Sequence, residues 1–424
     1  MTKTKNISVA IVGAGPAGTA TALKLSYLGV PCTLIDKSTF PRDKVCGDAV
    51  SGKVTLLLSR LDKKILDRFH KAFHEIDVWG IRFVTPNRAK VDVPFRLNYI
   101  RDPNDAPGYV VPRMALDNFL IEEVKRRENI ELLEGTAVEK YEKSTRGYRI
   151  TDKTGELDLD CKMLIIADGA NSKFSQHFAG LSREKEHFGG AVRAYYSGVT
   201  GMHEDNFIEL HFLKSISPGY FWIFPAPNGM TNVGLGMRSD IISRKKANLR
   251  KEMEQIIKSQ PGVKERFKEA KLIGKIEGHG LPFGSNPRKI SGNHFMLTGD
   301  AAHLIDPFTG EGIGNAFYSG FIAAEQVVAC LKEDNFSAKT LEAYDIRIAR
   351  VLGQEMKISH RMQKIGEYPV LLNFVGSVIR NNQSIINRFS KMFMDLEYRK
   401  NLTRPLFWIK MFYEKITGKS NGKS

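Results

Sequence analysis

The 424-residue sequence is poor in cysteine, and it contains no apolar run close to the roughly 20 residues that span a bilayer. Its four cysteines are widely scattered and form no CxxC pair. This pattern indicates neither a disulfide framework nor a zinc site, and we expect no bound metal. Such a chain is typical of a reducing compartment, so we expect a cytoplasmic protein that does not cross a membrane.

The remaining composition is that of an ordinary globular protein on a long chain. Hydrophobic residues make up 42% and charged residues 26% of the sequence, with no internal repeat and no low-complexity tract. These fractions are typical of a soluble protein, and the length favours two or three structural units over one.

Positive charge is in excess, formally +16, and part of it is concentrated near the end of the sequence. Between Arg380 and Ser424, ten lysines and arginines stand against three acids, among interleaved aromatic and aliphatic residues. Such a segment is suited to peripheral contact with anionic lipid on the inner face of a membrane. It is also compatible with a terminal helix that packs its apolar side on the body of the protein. No nucleic-acid-binding motif accompanies the charge, so we expect no nucleic acid partner.

A glycine-rich turn follows the first apolar run, residues 7–12. Gly13-Ala14-Gly15-Pro16-Ala17-Gly18 separates this run from a helical stretch, and Asp36 ends the next strand. In such a turn the first glycine allows the tight bend, the second admits a pyrophosphate and the third lets helix and strand pack closely. The helix start supplies N–H groups to the phosphates, and an acid about twenty residues on accepts hydrogen bonds from ribose hydroxyls. The unit therefore predicts a dinucleotide site.

Further strands and helices come from separated parts of the chain. Apolar strands at 162–167 and 295–297 and helices at 116–127 and 310–331 are typical of one doubly wound sheet. Aromatic, β-rich runs between them predict an inserted antiparallel sheet. We therefore predict a discontinuous nucleotide-binding domain (1–78, 112–182 and 285–340), a small insertion (79–111), a β-sheet substrate-binding domain (183–284) and a helical C-terminal region (341–424).

Two later motifs resemble those of the flavoprotein superfamily that contains aromatic hydroxylases, flavin-dependent halogenases and geranylgeranyl reductases. LIIADGANS (164–172) resembles its DG motif, with Asp168 and Gly169 near the cofactor. MLTGDAAH (296–303) resembles its GD motif, whose aspartate, here Asp300, binds the ribityl chain of FAD. The resemblance implies FAD and an α/β fold: a Rossmann-like FAD-binding domain with an inserted antiparallel β-sheet substrate domain and a C-terminal helical region.

Four more segments extend the resemblance, most specifically to geranylgeranyl reductases. PFTGEGIGN (307–315) is similar to the turn that faces the pyrimidine edge of the flavin, FPRDKVCGD (40–48) to the FPRxKxCG segment, and VPRMALD (111–117) to the RxxLD motif. PGYFWIFP (218–225) resembles the PxxYxWxFP signature, with one residue fewer between proline and tyrosine. The cofactor contacts that the turn and the resemblance together predict, besides Asp168, Gly169 and Asp300, are Gly13, Gly15, Pro16, Ala17, Gly18, Asp36, Lys37, Arg42, Cys46, Gly47, Arg113, Gly310, Gly312, Ile313 and Gly314.

The aromatic signature predicts where the substrate binds. Tyr220, Trp222 and Phe224 alternate along one strand and therefore share a face. In the resembling family that face lines the substrate cavity beside the flavin. Plain core packing is the competing interpretation of such a stripe.

The resemblance implies a geranylgeranyl-reductase-like oxidoreductase acting on CH–CH groups. It would saturate C=C bonds of an isoprenoid or other prenyl lipid by hydride transfer from FAD, after reduction by NAD(P)H or a small electron carrier. An isolated alkene is a poor hydride acceptor, so the site must hold it in a dry cavity. Cys46 is the candidate catalytic residue, because the family's corresponding segment approaches the flavin; a small buried hydrophobe is the alternative. The proton donor is left open, with His303 as either a donor or a structural residue.

Two rival functions are compatible with the same motifs. An FAD-dependent monooxygenase or halogenase-like enzyme would act on an apolar or aromatic small molecule. Halogenases carry a WxWxIP segment where this sequence has YFWIFP, which disfavours halogenation. The second rival is a non-enzymatic, flavin-bearing binder of prenyl lipids.

Overall fold

A computed structural model of the chain describes residues 4–73 and 77–380, together with 383, 385–387 and 390. Its strands are β1 (Lys5–Val12), β2 (Cys32–Ile35), β3 (Ala49–Ser51), β4 (Asp77–Val78), β5 (Gly80–Val84), β6 (Lys90–Pro94), β7 (Gly108–Val110), β8 (Ile130–Leu133), β9 (Lys140–Lys143), β10 (Tyr148–Thr151), β11 (Asp158–Ile166), β12 (Phe188–Ser197), β13 (Ile208–His211), β14 (Tyr220–Pro225), β15 (Met230–Arg238), β16 (Lys271–Pro282), β17 (Ser291–Gly292) and β18 (Phe295–Leu297).

Helices cover the sheets and form the last described part of the chain. They are α1 (Pro16–Tyr27), α2 (Gly52–Leu61), α3 (Lys63–Phe73), α4 (Arg113–Lys125), α5 (Lys173–His177), α6 (Ser239–Lys245), α7 (Leu249–Ser259), α8 (Ile313–Glu333), α9 (Ala338–Val351), α10 (Gly353–Ile365) and α11 (Pro369–Ile379). Within the described residues, no helix combines the length and the apolar character needed to cross a bilayer.

The main sheet has the Rossmann-like arrangement that the glycine turn predicted. Its strands lie in the order β17, β18, β11, β1, β2, β8, and the last five run parallel. The side branch of β10 and β9 is antiparallel. Strand β1 is buried from Val9 to Val12, as expected for parallel strands that are covered on both faces. Three separated stretches of the chain thus meet in one sheet.

Helices α1 and α8 lie in close contact over this sheet. The contact depends on Gly320 of α8, where a Cβ atom would lie 2.6 Å from the carbonyl oxygen of Ala17 in α1. Only glycine permits that approach of the two backbones. The packing brings the start of α8, which follows the Asp300 turn, next to the glycine turn that opens α1.

The second sheet is mixed, with the strand order β16, β12, β15, β14, β13, β5, β6. Its pairings from β16 to β13 are antiparallel, which confirms the predicted inserted antiparallel sheet. Strand β13, however, pairs parallel with β5, and β5 pairs antiparallel with β6. Residues 79–111 were predicted as a separate insertion, but their strands β5 and β6 extend this sheet. The sequence did not reveal this, because pairing between strands far apart in the chain leaves no local pattern.

A third, small sheet has the strand order β3, β7, β4. Strand β3 pairs antiparallel with β7, and the N–H of Val111 donates to the carbonyl oxygen of Asp48 (2.8 Å). The segment that ends in Cys46, Gly47 and Asp48 is thereby held beside the second sheet. Helices α9 to α11 confirm the predicted helical character of the C-terminal region as far as residue 379, whereas most of the basic segment 380–424 lies outside the described residues.

Candidate active site

The glycine turn between β1 and α1 has the geometry that its pattern predicts. Gly13 has φ +103°, and a Cβ atom there would lie 2.4 Å from the carbonyl oxygen of Ala167. A Cβ atom at Gly18 would lie 1.8 Å from the carbonyl oxygen of Gly13. Both positions therefore require glycine, one for the bend and one for the packing of α1 against the turn.

Gly15 instead faces space bordered by positive charge. A Cβ atom there would lie 3.9 Å from Nη2 of Arg42 and 4.0 Å from Nη2 of Arg113. Helix α1 starts at the next residue, and no side chain of the described residues caps it. Free N–H groups at a helix start, together with two guanidinium groups, suit the two negative charges of a pyrophosphate.

One buried acid fixes both guanidinium groups. Arg113 donates to the two carboxylate oxygens of Asp117 through Nε (2.8 Å) and Nη2 (2.7 Å), and Nη1 of Arg42 donates to the same carboxylate (2.9 Å). Arg113 and Asp117 are almost completely buried. Burial opposes the charge of Arg113, but Asp117 raises the pKa of the guanidinium above its ordinary value. The cations are thus held in fixed positions beside Gly15.

Asp36 closes the glycine turn from the end of β2. Its Oδ2 accepts from the N–H of Ala14 (2.7 Å), and its Oδ1 accepts from the N–H of Ser38 (2.8 Å). A carboxylate can accept about four hydrogen bonds, so two remain for ribose hydroxyls. The ribose contact itself stays a prediction.

Asp300 forms a second charged group, in the turn before α8. Nζ of Lys44 donates to its Oδ2 (3.2 Å), and His279 of β16 lies nearby. Burial opposes the charge of Asp300, but Lys44 holds the pKa of its carboxyl below the ordinary value. Burial lowers the pKa of His279 to about 4, so this histidine is neutral at pH 7.

Two glycines before the start of α8, Gly310 and Gly312, border the same space. Gly310 has φ +74°, and a Cβ atom there would lie 3.0 Å from the hydroxyl of Tyr220. That hydroxyl donates to the carbonyl oxygen of Thr309 (2.8 Å), which fixes the aromatic strand β14 to the turn. The N–H of Gly314 is already bound by Oε1 of Glu311 (2.6 Å).

The aromatic face of β14 packs against the segment that carries Cys46. A Cβ atom at Gly47 would lie 3.4 Å from the ring of Phe224. Nε1 of Trp222 donates to the side-chain oxygen of Asn232 (2.8 Å), whose Nδ2 donates to the carbonyl oxygen of Cys46 (3.0 Å). Burial raises the pKa of the Cys46 thiol, so the neutral thiol is the stable form.

All of these elements border one cavity of about 980 Å³, which is at the upper end of ordinary ligand cavities. The sequence-predicted residues that line it are Gly15, Pro16, Ala17, Cys46, Gly47, Arg113, Gly169, Tyr220, Trp222, Phe224, Asp300, Gly310, Gly312 and Ile313. The others do not: Gly13, Gly18, Asp36 and Arg42 support the glycine turn, Lys37 and Asp168 are exposed, and Gly314 lies in the first turn of α8. His303 also lies outside the lining, and burial lowers its pKa to about 4.

Several lining residues escaped the sequence analysis. Lys44 and Asp48 lie within the FPRDKVCGD segment, so this motif could have identified them as candidates. Arg193 and His279 sit on strands of the second sheet, where no motif marks them. No motif marks Asn232 and Tyr195 either, although both donate hydrogen bonds to Asp48.

The chain matches known flavoproteins over most of its length. The model of the FAD binding domain family matches residues 6–357. A menaquinone reductase of Mycolicibacterium smegmatis is 30% identical over 389 residues, which cover 89% of each chain. A digeranylgeranylglycerophospholipid reductase of Methanosarcina acetivorans is 28% identical and covers 83% of this chain and 82% of its own.

The fold has solved counterparts as well. The crystal structure of a geranylgeranyl bacteriochlorophyll reductase-like protein from Thermoplasma acidophilum superposes with a TM-score of 0.77 over 91% of this chain and 95% of that one, at 23% identity. At this identity the likeness establishes the fold alone. Together with the family match and the reductase relatives, the motifs and the cavity identify the chain as a member of the FAD binding domain family and, within it, of the geranylgeranyl-reductase family of FAD-dependent oxidoreductases.

Proposed function

We propose that this protein saturates carbon–carbon double bonds of a prenyl chain that binds in the cavity beside FAD. The observation that carries the proposal is the continuity of the cavity from the Gly15 turn to the aromatic face of Trp222 and Phe224. Reduced FAD supplies the hydride for such a reaction. The relatives named for menaquinone and for digeranylgeranylglycerophospholipid share a prenyl chain in their substrates, which supports a prenyl substrate here.

FAD fits the residues at the glycine-turn end of the cavity. In this proposal Gly15, the start of α1 and the guanidinium groups of Arg42 and Arg113 hold the pyrophosphate. Asp300 accepts from the hydroxyls of the ribityl chain, for which its low pKa keeps it ionised. The N–H groups around Gly312, at the start of α8, are suited to stabilise negative charge on the reduced ring.

The opposite end of the cavity is suited to an apolar chain. Phe212 and Leu210 of the second sheet line it together with Trp222, and α11 adds Leu372 and Val375. An alkene gains little from hydrogen bonds, so close apolar packing and exclusion of water are what can hold it in a reactive position. Cys46 lies at the junction of the two ends, where its neutral thiol adds a small polarisable contact.

The test is an anaerobic turnover experiment. Dithionite-reduced holoprotein is incubated separately with a prenylated naphthoquinone and with a digeranylgeranyl glycerophospholipid, and mass spectrometry measures the addition of hydrogen pairs. Free reduced FAD with the same lipids is the control. The proposal predicts products heavier by two hydrogens per saturated bond, without oxygen. If turnover requires oxygen and inserts it into the product, the protein is a monooxygenase instead.

We propose NAD(P)H, or a small electron carrier, as the physiological reductant. Bleaching of the flavin absorbance under nitrogen, with NADH and NADPH in parallel, measures this directly. Reduction by neither nucleotide would assign the role to an electron carrier.

We further propose that the basic C-terminal segment rests on anionic membrane lipid. The apolar side chain of Val370, at the start of α11, is 81% exposed, whereas Leu372 and Val375 of the same helix line the cavity. The helix that precedes the basic segment therefore joins the cavity to an apolar surface. Deletion of residues 404–424 should reduce co-sedimentation with anionic vesicles but not with neutral ones. Unchanged co-sedimentation would leave the segment a packing role only.

A further inference from the structure

Asp48 is a buried carboxyl group whose two oxygen atoms have different environments. Its side chain is completely buried, and the residue borders the cavity next to Cys46 and Gly47. Oδ2 accepts from the hydroxyl of Tyr195 and from Nδ2 of Asn232 (2.7 Å). Oδ1 has no hydrogen-bond partner among the described residues. When the carboxyl group is neutral, its proton must therefore reside on Oδ1, because both donors point at Oδ2.

The other carboxyl groups that border the cavity are engaged differently. Asp300 pairs with Lys44 at 3.2 Å, and Glu355 pairs with Lys53 at 2.8 Å. Asp105, near the opening, pairs with an arginine. Each of these three partners is a cation, which favours the ionised carboxylate.

Glu311 is the one further acid of the lining, and it too differs from Asp48. Its Oε1 accepts from the N–H of Gly314 at 2.6 Å, in the first turn of α8, where the helix dipole favours negative charge, although burial raises the pKa of Glu311 as well. Within the described residues, Asp48 is thus the lining acid that has neither a cation within ion-pair distance nor a helix start to hold its charge.

The surroundings of Asp48 keep the carboxyl group protonated up to about pH 6, well above the range of an ordinary aspartate. Burial raises its pKa to about 6, against the opposing effects of the donors Tyr195 and Asn232 and of the cations Arg193 and Arg113. The residue also has φ +65°, a conformation that is uncommon outside glycine and that the pairing of β3 with β7 maintains.

Tyr195 donates to this buried acid from the second sheet. The residue lies on β12, is only partly buried and does not border the cavity. The guanidinium group of Arg193 lies 4.5 Å from the centre of its ring. Burial and the neighbouring Asp48 raise the pKa of the Tyr195 hydroxyl, so it keeps its proton and donates a hydrogen bond to the carboxyl group.

We propose that Asp48 is the proton donor of the double-bond reduction and that Tyr195 stabilises the carboxylate that forms. Saturation of one C=C bond needs one hydride and one proton. The hydride comes from reduced FAD to one carbon, while the Oδ1–H bond of Asp48 breaks and a new C–H bond forms at the other carbon. The carboxylate that remains is stabilised by the hydrogen bonds from Tyr195 and Asn232 to Oδ2 until Oδ1 takes a proton from water. This role deepens the proposed function and depends on it.

The test compares Asp48→Asn, which keeps the shape and can still accept from Tyr195, with the wild type. The variant should bind FAD and be bleached by dithionite as the wild type is, but its saturation of the prenyl substrate should fall at least about a hundredfold, the usual effect of losing a general acid. Turnover of the wild type should fall above about pH 6. The remaining turnover of Asp48→Asn should lack this dependence on pH.

A second readout does not involve turnover. Infrared difference spectra of the oxidised protein should contain a protonated-carboxyl band that disappears as the pH rises through about 6 and that is missing in Asp48→Asn. Tyr195→Phe removes a donor to the carboxylate, so it should move this titration to higher pH and slow turnover. Asp345→Asn is the matched control: burial also raises the pKa of Asp345, but it borders no part of the cavity, so turnover should stay unchanged.

The outcomes separate the two proposals. If the wild type saturates the substrate and Asp48→Asn does so within about threefold, or if the infrared band survives the substitution, Asp48 is not the donor although the proposed function stands. If the wild type itself saturates neither lipid, the proposed function fails and the role of Asp48 fails with it.

Discussion

Replacing Asp48 with asparagine should change how the stability of the protein depends on pH. The carboxyl group is completely buried, and its pKa is raised from 3.8 to about 6, mainly by that burial. The folded protein therefore binds a proton more tightly than the unfolded chain does. Its contribution to stability is fully present below about pH 4, and it is lost as the pH rises through about 6.

The size of the effect follows from the pKa difference. At about 1.4 kcal/mol per pKa unit, the change from 3.8 to about 6 corresponds to about 3 kcal/mol of unfolding free energy. About 2 kcal/mol of this falls between pH 4 and pH 7, where the folded protein is accessible to measurement. Asparagine does not titrate, so the variant lacks this dependence.

The assay is urea unfolding of the wild type and of Asp48→Asn at several pH values, followed by tryptophan fluorescence. All other titrating groups are shared, so the difference in unfolding free energy isolates Asp48. This difference, wild type minus variant, should fall by about 2 kcal/mol from pH 4 to pH 7. A difference that stays constant with pH, or one that rises, would refute the reasoning, because it would mean that the charged form is the stable one in the fold.

Four further substitutions test the site. Gly15→Leu should abolish FAD retention, read as loss of flavin absorbance, while the far-ultraviolet circular dichroism stays unchanged. Yellow, folded Gly15→Leu protein would contradict the pyrophosphate assignment. Gly13→Ala should lower the stability of the fold itself, because its Cβ atom would lie 2.4 Å from a carbonyl oxygen. Arg113→Ala leaves Asp117 buried without its bidentate partner, so urea unfolding should report a loss of about 3 kcal/mol; a loss under 1 kcal/mol would mean that the remaining arginine suffices. Trp222→Phe leaves the buried side-chain oxygen of Asn232 without its donor and should lower the unfolding free energy by about 1–3 kcal/mol in the same assay. The same variant should bind the substrate more weakly. An unchanged KM would mean that this face is not part of the substrate site.

The elements that the sequence predicted well are those whose cause is local. Gly13 and Gly18 could be recognised because a tight bend and a close helix approach exclude every side chain at those positions. The shared face of Tyr220, Trp222 and Phe224 follows from strand alternation alone. Motif resemblance added Arg113 and Asp300, which line the cavity, but it also added Lys37 and Asp168, whose side chains are exposed and do not line it.

What escaped prediction depends on pairings across the chain. Strand β5 pairs parallel with β13, although strands β6 to β12 and helices α4 and α5 lie between them in the chain. The hydrogen bonds of Asp48 to Tyr195 and Asn232 likewise join residues that are 147 and 184 positions apart in the chain. Periodicity and motif spacing contain no information about such partners.

The sequence by itself thus determined that this chain binds a dinucleotide and belongs with flavoproteins. The reason is that the cofactor-binding turns require glycine and are formed by residues that are consecutive in the sequence. Only the tertiary structure decided which carboxyl groups stay charged. Asp300 meets Lys44, which favours its ionised form, while Asp48 is buried beside the neutral donors Tyr195 and Asn232 and keeps its proton up to about pH 6. The physical reason is that the pKa of an acid is set by its solvation and by the charges nearby, and folding brings these from distant parts of the chain.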